Sequence, residues 1–352
     1  MVSVKAQDDQ AAAMELVGKL EHLAVGAGVA AALQAAVKLG VPEAVGDDPV
    51  EVSEIAARTD AVPGTLGRLL RALERQGVFE ETSDGRYRHN ALSRLLRDDS
   101  PYGLKHLVLW LGAPWTWQAW PRLDEAVRDG KAMVPEIFGK DFYSYLTQDA
   151  PESARVFDKA MTAVSSLSSR QVSTAIDLRG VGSVADVAGG QGHLLRTLLA
   201  RHPGVHGTLF DLEATVADAV PELCAGGEFG DRCSLVPGDC LNEVPVKADL
   251  YILKNILDWP DENSLRVLKN IGATADPGAR ILVIDSVMDA APEEMRVTSV
   301  IDLFMLLNVG GQRHTRSEFE ELFSRAGLDL TGTEAVSGTF PTLHLVEATV
   351  PG

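Results

Sequence analysis

The sequence predicts an α/β protein in which a doubly wound parallel sheet follows a helical, winged-helix module. Three observations carry this. From residue 181 onward, short apolar runs such as "VADVAGG", "GTLFDL", "ADLYILKNIL" and "ARILVIDSV" alternate with helical patterns, the signature of strands joined by crossover helices. Between residues 47 and 97, two short helices precede a turn-centred strand pair. The 352 residues, 45% of them hydrophobic, suffice for about two domains. The expected domains are residues 1–100 and 101–352.

Taken in order, "AAAMELVGKLEHLAVGAGVAAALQAAVK" over 11–38 reads as two helices interrupted near Gly26 and Gly28. Charges are scarce over 24–36, so more than one face should be buried. A terminal helix of this kind suits an oligomer interface. Ser53 to Arg58 reads as a short helix. Pro63 opens another that runs to Arg75, with Leu66, Leu69, Leu70 and Leu73 at helical spacing, and Gly77 ends it. "VFEETSDGRYRHN" reads as a hairpin around Asp84-Gly85. Helix, helix, hairpin is a winged helix, which raises DNA binding through Arg68, Arg71 and Arg75. A formal charge of −18 argues instead for a packing module, because a nucleic-acid binder needs a basic footprint.

Residues 101–175 read as helical. Trp110, Trp115, Trp117 and Trp120 are either core packing or an aromatic wall for a planar ligand.

The glycine turn after the first strand of the sheet restricts the cofactor. A dinucleotide turn needs G-x-G-x-x-G. Gly190 and Gly192 supply the first pair, but Leu195 stands third, and no Gly-Lys-Ser/Thr is present for a P-loop. The strand ends in Asp186, followed by Ala188, Gly189, Gly190 and Gly192. A carboxylate there repels a pyrophosphate and suits a cationic amino-acid tail, as in S-adenosyl-L-methionine. Asp211 ends the next strand, where a carboxylate can accept both ribose hydroxyls. A third acid, Asp239, lies in "PGDC".

The series "DVAGGQG", "FDL", "GDC", "LKNILDWPDENSLRVLKNI", "PGARILVIDSV" and "GGQRHTRSEFEELFSRAGL" resembles the S-adenosylmethionine-dependent small-molecule O-methyltransferases, plant caffeate type and actinobacterial antibiotic-pathway relatives, over nearly the whole chain. The resemblance implies a Rossmann-like methyltransferase domain behind a winged-helix dimerisation domain. It implies that Ala188 to Gly192 wraps the methionine part and Asp211 binds the ribose. Gly238, Asp239 and Cys240 then hold the adenine, and Lys254 and Ser165 lie near the carboxylate end. Met161 lines the methyl channel, and Trp115, Asp285, Met305, Asn308 and Arg313 are expected to face the substrate. Ala188 replaces the usual first glycine, which is tolerable if its φ is negative.

Family members read L-K-x-x-L-H-D-W, and the histidine takes the substrate proton. Here Leu253 to Trp259 is one residue shorter. Aligned on Asp-Trp, Leu257 holds the histidine position. The two flanking acids correspond to Asp285 and Arg313. No single base is then expected to be essential, since positioning alone carries much of a methyl transfer. The substitute bases weighed are His314, against a surface or N-capping role, and Asp258, against capping the helix after Pro260. His193 is expected to be solvated. Arg313 either clamps an anionic substrate group or pairs with Asp285 or Glu318.

The expected protein is a cytoplasmic homodimer that methylates a hydroxylated aromatic molecule. It binds no nucleic acid, membrane or metal: its three cysteines lack metal spacing, and no signal peptide or apolar span is visible. A relative that hydroxylates or decarboxylates with the same cofactor, and a winged-helix regulator, are the alternatives.

Overall fold

The structure is a computed structural model that describes residues 2–352, with side chains described at residue 10 and from residue 12 onward. The chain forms two compact units, Met1–Pro114 and Trp115–Gly352. The boundary falls later than residue 100 because the Leu104–Leu111 helix packs on the Gly26–Lys38 helix of the first unit.

In the first unit, helices Val2–Ala24 and Gly26–Lys38 break at Val25, and the paired segments Ala12–Ala24 and Gly26–Lys38 bend by 45°. Glycine is a poor helix former, so Gly26 and Gly28 mark this break. Helices Val52–Arg58 and Pro63–Glu74 follow. Leu66, Leu70 and Leu73 of the second are buried with Ile55, Phe79 and Tyr87. Strands β1 (Glu80–Glu81) and β2 (Tyr87–Arg88) pair antiparallel, Gly85 turns at φ 77°, and Val50 bridges to Tyr87 as a third wing strand. The winged helix is therefore formed.

The burial expected for 24–36 is not met within the chain. Only Gln34, Ala36 and Val37 of the Gly26–Lys38 helix are buried. Met14, Leu16, Leu20, Leu23 and Val25 are all more than half exposed. Among the described residues no single helix is long and apolar enough to cross a membrane, although the bent pair would suffice by length and composition.

The second unit opens with helices Thr116–Ala119, Leu123–Asp129, Met133–Phe138, Phe142–Gln148 and Pro151–Ala175. Then come β3 (Ser183–Val187), β4 (His206–Asp211), β5 (Cys233–Pro237), β6 (Leu250–Lys254), β7 (Arg280–Asp285), β8 (Asp329–Val336) and β9 (Leu343–Thr349). Their order is β5-β4-β3-β6-β7-β9-β8. The first five are parallel, and β9 runs antiparallel to β7 and β8.

Alternate strand residues serve opposite faces. Ala185, Tyr251 and Val283 pack with Leu268, Ile271, Phe319 and Phe323 on one face. Val184, Leu209, Ile252 and Ile284 pack with Val172, Leu195 and Leu198 on the other. β3 lies between β4 and β6, so the order reverses there and opens a crevice at the carboxyl ends of the strands.

Candidate active site

Asp186, Asp211, Lys254 and Asp285 stand at or beside the carboxyl ends of β3, β4, β6 and β7. Parallel strands deliver their ends to one rim, so four charges meet where the sheet stops. Asp186 is 1% exposed, and one of its carboxylate oxygens has no hydrogen-bond partner. Burial raises its pKa to about 7, against the pull of Lys254 and with a further push from Asp211. Lys254 donates to Ser165 Oγ at 3.1 Å, and burial lowers it to about 8 while Asp186 and Asp285 oppose the fall.

The glycine turn wraps this carboxylate closely. A Cβ at Gly189 would come 2.5 Å from Asp186 Cγ, and one at Gly192 would come 2.4 Å from Leu223 Cδ1. Gly190 N–H donates to Asp211 Oδ2 at 2.8 Å, and Leu212 N–H donates to Asp211 Oδ1 at 2.7 Å. Burial raises Asp211 as well. Ala188 departs from expectation: its φ is +53°, in the left-handed region that penalises a Cβ. Its N–H donates to Phe210 O at 2.7 Å, and that bond between strand ends fixes the turn.

The "PGDC" loop follows β5. Gly238 N–H donates to Asp211 O, and a Cβ at Gly238 would lie 2.5 Å from the Phe210 ring. Asp239 accepts from Leu241 N–H at 2.9 Å and Asn242 Nδ2 at 3.1 Å. Cys240 is buried and its thiol is pushed up to about 12. His193 is half-buried rather than solvated. Its Nε2 has no partner, and burial lowers its pKa.

The second half of the site surrounds Arg313. Its Nη1 bonds Asp285 Oδ1, its Nη2 lies 3.8 Å from Asp258 Oδ2, and its backbone N–H donates to Asp302 Oδ1 at 2.6 Å. All three charged side chains of this first pair of contacts are nearly buried. Of the two alternatives for Arg313, pairing with Asp285 is the one formed. Gly311 makes the approach possible, since a Cβ there would lie 2.0 Å from Asp258 O.

Two expected structural roles are overturned. Asp258 is 6% exposed and does not cap a helix: Asp261–Thr274 starts from Pro260 without a side-chain cap. Burial raises Asp258 to about 7, Asp285 adds to the rise, and Arg313 opposes it. His314 is 2% exposed, with Nε2 3.2 Å from Asp261 Oδ1, Nδ1 unpartnered and its ring against Phe319. Thr315 caps the Arg316–Ala326 helix instead, in a capping box with Glu318.

The expected substrate residues divide. Trp115 is buried between Phe142 and Phe304, at ring distances of 5.5 and 5.8 Å. It is therefore packing rather than an open wall. Met161 is 37% exposed, Met305 is half-buried, and Asn308 is buried with Oδ1 unpartnered. Sequence reasoning missed Asp302, Asp261 and Tyr143. Tyr143 OH accepts from Trp259 Nε1 at 3.3 Å. Tyr143 is 44% exposed, yet desolvation pushes its phenol to about 12, with Asp258, Asp211 and Cys240 also raising it. The three aromatics of "DFYSYL" were its only sequence signal.

A switch-point crevice, a glycine turn after β3 and acids ending β3 and β4 define a Rossmann-like methyltransferase fold. A family model of the O-methyltransferase domain matches residues 120–329, and one of the O-methyltransferase dimerisation domain matches residues 21–99. The chain belongs to this O-methyltransferase family. It is 37% identical over 305 residues to the mitomycin biosynthesis 6-O-methyltransferase of Streptomyces lavendulae, covering 86% of each chain. Among solved structures it is similar to the mitomycin 7-O-methyltransferase MmcR, with a TM-score of 0.86, 34% identity, and 97% and 99% of the two chains covered. CalO1, a methyltransferase of calicheamicin biosynthesis solved with SAH bound, gives a TM-score of 0.82 at 33% identity, with 96% and 99% covered.

Two outcomes follow from the turn. Ala188→Gly should raise stability by up to about 1 kcal/mol, because relief of the left-handed alanine exceeds the added chain entropy; chemical denaturation measures it. Asp186 carries a raised carboxylate pKa, so the folded state holds its proton more tightly than the unfolded chain. Its contribution is complete below about pH 4 and is lost as pH rises through about 7. The melting temperature of the ligand-free protein should therefore fall between about pH 4 and 7, and less steeply in Asp186→Asn.

Proposed function

We propose that this chain transfers a methyl group from S-adenosyl-L-methionine to a hydroxyl of an aromatic small molecule, working as a homodimer in the cytoplasm. The observation that carries the reading is the unpartnered, nine-tenths-buried oxygen of Asp186 beneath a turn that admits no side chain at Gly189. That environment fits a ligand bringing its own positive charge, and it opposes a pyrophosphate. Bound there, S-adenosylmethionine supplies a methyl group already activated on a sulfonium.

In this reading Asp186 neutralises the cationic tail, and Ala188, Gly189, Gly190 and Gly192 give it backbone contact. Lys254 and Ser165 hold the carboxylate end. Asp211, already oriented by two backbone N–H groups, accepts the ribose hydroxyls. Gly238, Asp239 and Cys240 border the adenine. Tyr143, Met161, Met305 and Asn308 border the substrate, while Arg313 is occupied by carboxylates and is not free to clamp an anion. Relatives named for mitomycin and calicheamicin biosynthesis fit such a role, and the similar O-methyltransferase NcsB1 from neocarzinostatin biosynthesis, solved with S-adenosylmethionine and 2-hydroxy-5-methyl naphthoic acid, supports an aromatic acceptor.

Incubation with methyl-labelled S-adenosylmethionine and a panel of phenols tests the activity. Labelled ether products are expected, and an oxidised, unlabelled product would favour hydroxylation instead. Asp211→Ala should weaken S-adenosylmethionine by one to two orders of magnitude, through loss of charged hydrogen bonds worth roughly 1.5–3 kcal/mol. Unchanged affinity by calorimetry would remove Asp211 from the site.

The exposed apolar residues of the first two helices support the homodimer. A stable interface of on the order of 2,000 Å² should give a dimer by light scattering at micromolar concentration. Leu20→Glu with Leu23→Glu should shift it toward monomer, since both side chains are more than two-thirds exposed in one chain.

A further inference from the structure

We propose that Asp258 is the general base of this enzyme, standing where relatives keep a histidine, with Arg313 and Asp285 as its positioning residues. The inference rests on the methyl-transfer reading above.

The shortened segment can be aligned in two ways. With the gap before Asp-Trp, Leu257 meets the histidine position; with the gap after, Asp258 does. Leu257 is wholly buried in the apolar cluster beneath the sheet, with Val267 and Leu268, and reaches no polar group. Asp258 instead contacts Arg313, whose other arm holds Asp285. Those two residues occupy the positions of the acids that flank the histidine in the resemblance drawn from sequence. The structure therefore selects the second alignment.

This alignment accounts for three departures together. A carboxylate beside two further acids would not ionise near neutral pH. A cation at 313 offsets that repulsion. The change from histidine to Asp258 and the charge reversal at Arg313 are thus complementary, and either alone would leave the site unbalanced.

Asp258 is also available to a ligand. Arg313 pairs with it at 3.8 Å, beyond hydrogen-bond distance, and no side chain among the described residues donates a hydrogen bond to it. The groups facing it are Asp285 from the end of β7, Asp302 from the Pro292–Val309 helix, Arg313 from the loop after that helix, and the Tyr143 hydroxyl from the Phe142–Gln148 helix. Tyr143 OH accepts from Trp259 Nε1, the residue that follows Asp258, at 3.3 Å, and the charges of Asp258 and Asp211 both raise its phenol. Burial, with Asp285, holds the Asp258 carboxyl near 7, the range in which a general base works best.

The step balances simply. The substrate O–H bond breaks and its proton passes to a carboxylate oxygen of Asp258. The substrate oxygen keeps the electron pair and forms the bond to the methyl carbon, as the donor's carbon–sulfur bond breaks with its pair on sulfur. Asp258 then returns the proton to solvent.

Infrared pH titration of the whole protein needs neither substrate nor cofactor. A carboxyl band that titrates near 7, disappears in Asp258→Asn and moves to higher pH in Arg313→Met is expected; absence of a band assignable to Asp258 overturns the proposal. With a phenol that turns over in the labelled-methyl assay, Asp258→Asn should lose about 10²–10⁴-fold in kcat, at unchanged S-adenosylhomocysteine affinity and melting temperature. Asp258→His should restore much of the loss. The wild-type rate should rise with pH through about 7 and then level, whereas the Asn variant should rise only toward the phenol's own pKa near 10. A loss under tenfold, or the same inflection in the Asn variant, overturns the base assignment while leaving methyl transfer standing. Failure of the wild type to bind S-adenosylhomocysteine would sink the functional reading instead, and the infrared result would still decide whether Asp258 titrates.

Discussion

The site depends on one constraint: a parallel sheet brings the ends of its strands to a single rim, and that rim is shielded from water. Charges at Asp186, Asp211, Lys254 and Asp285 would be ordinary on a surface. Here desolvation moves Asp186 up to about 7 and Lys254 down to about 8, and raises Asp211 as well. Lys254 lies in the field of both Asp186 and Asp285. It therefore ties the glycine-turn half of the crevice electrostatically to the Arg313 half. Close backbone contact at Gly189, Gly238 and Gly311 maintains the low dielectric on which these shifts rest.

Much of this was legible in the sequence, for identifiable reasons. β3, β4, β6 and β7 are apolar runs ended by a charged residue, and such runs read clearly. β5, "CSLVP", is short and half-buried, while β8, "DLTGTEAV", is an edge strand with mostly polar exposure. Neither carries a strong period. β9 is apolar, but nothing local says that it inserts between β7 and β8. The glycine turn and its acids were legible because residue type and spacing suffice. The φ of Ala188 was not, because it follows from the Phe210 hydrogen bond across strands. Asp258 stood among the substitute bases, but the one-residue gap set Leu257 at the histidine position, and it is the burial of Leu257 in the apolar core that speaks against that alignment.

The N-terminal unit joins the shape of a winged helix to a dimerisation-domain match over residues 21–99. Its buried leucines, bridge strand and tight Gly85 turn are those of a winged helix, but the chain bears a charge of −18. The Pro63–Glu74 helix presents Arg68 and Arg71 to solvent, whereas Arg75 pairs with Glu74. What the unit offers in quantity is uncovered apolar surface on the helices that precede the wing.

The proton on Asp186 has one more consequence. A cation that settles against this carboxylate displaces the proton that burial leaves on part of the molecules near neutral pH. Loading the site is then an exchange of one positive charge for another. The measured heat of loading contains the ionisation heat of the buffer, and apparent affinity climbs with alkalinity until the carboxylate is already bare. The crevice thereby couples its occupancy to the acidity of its surroundings, without any moving part.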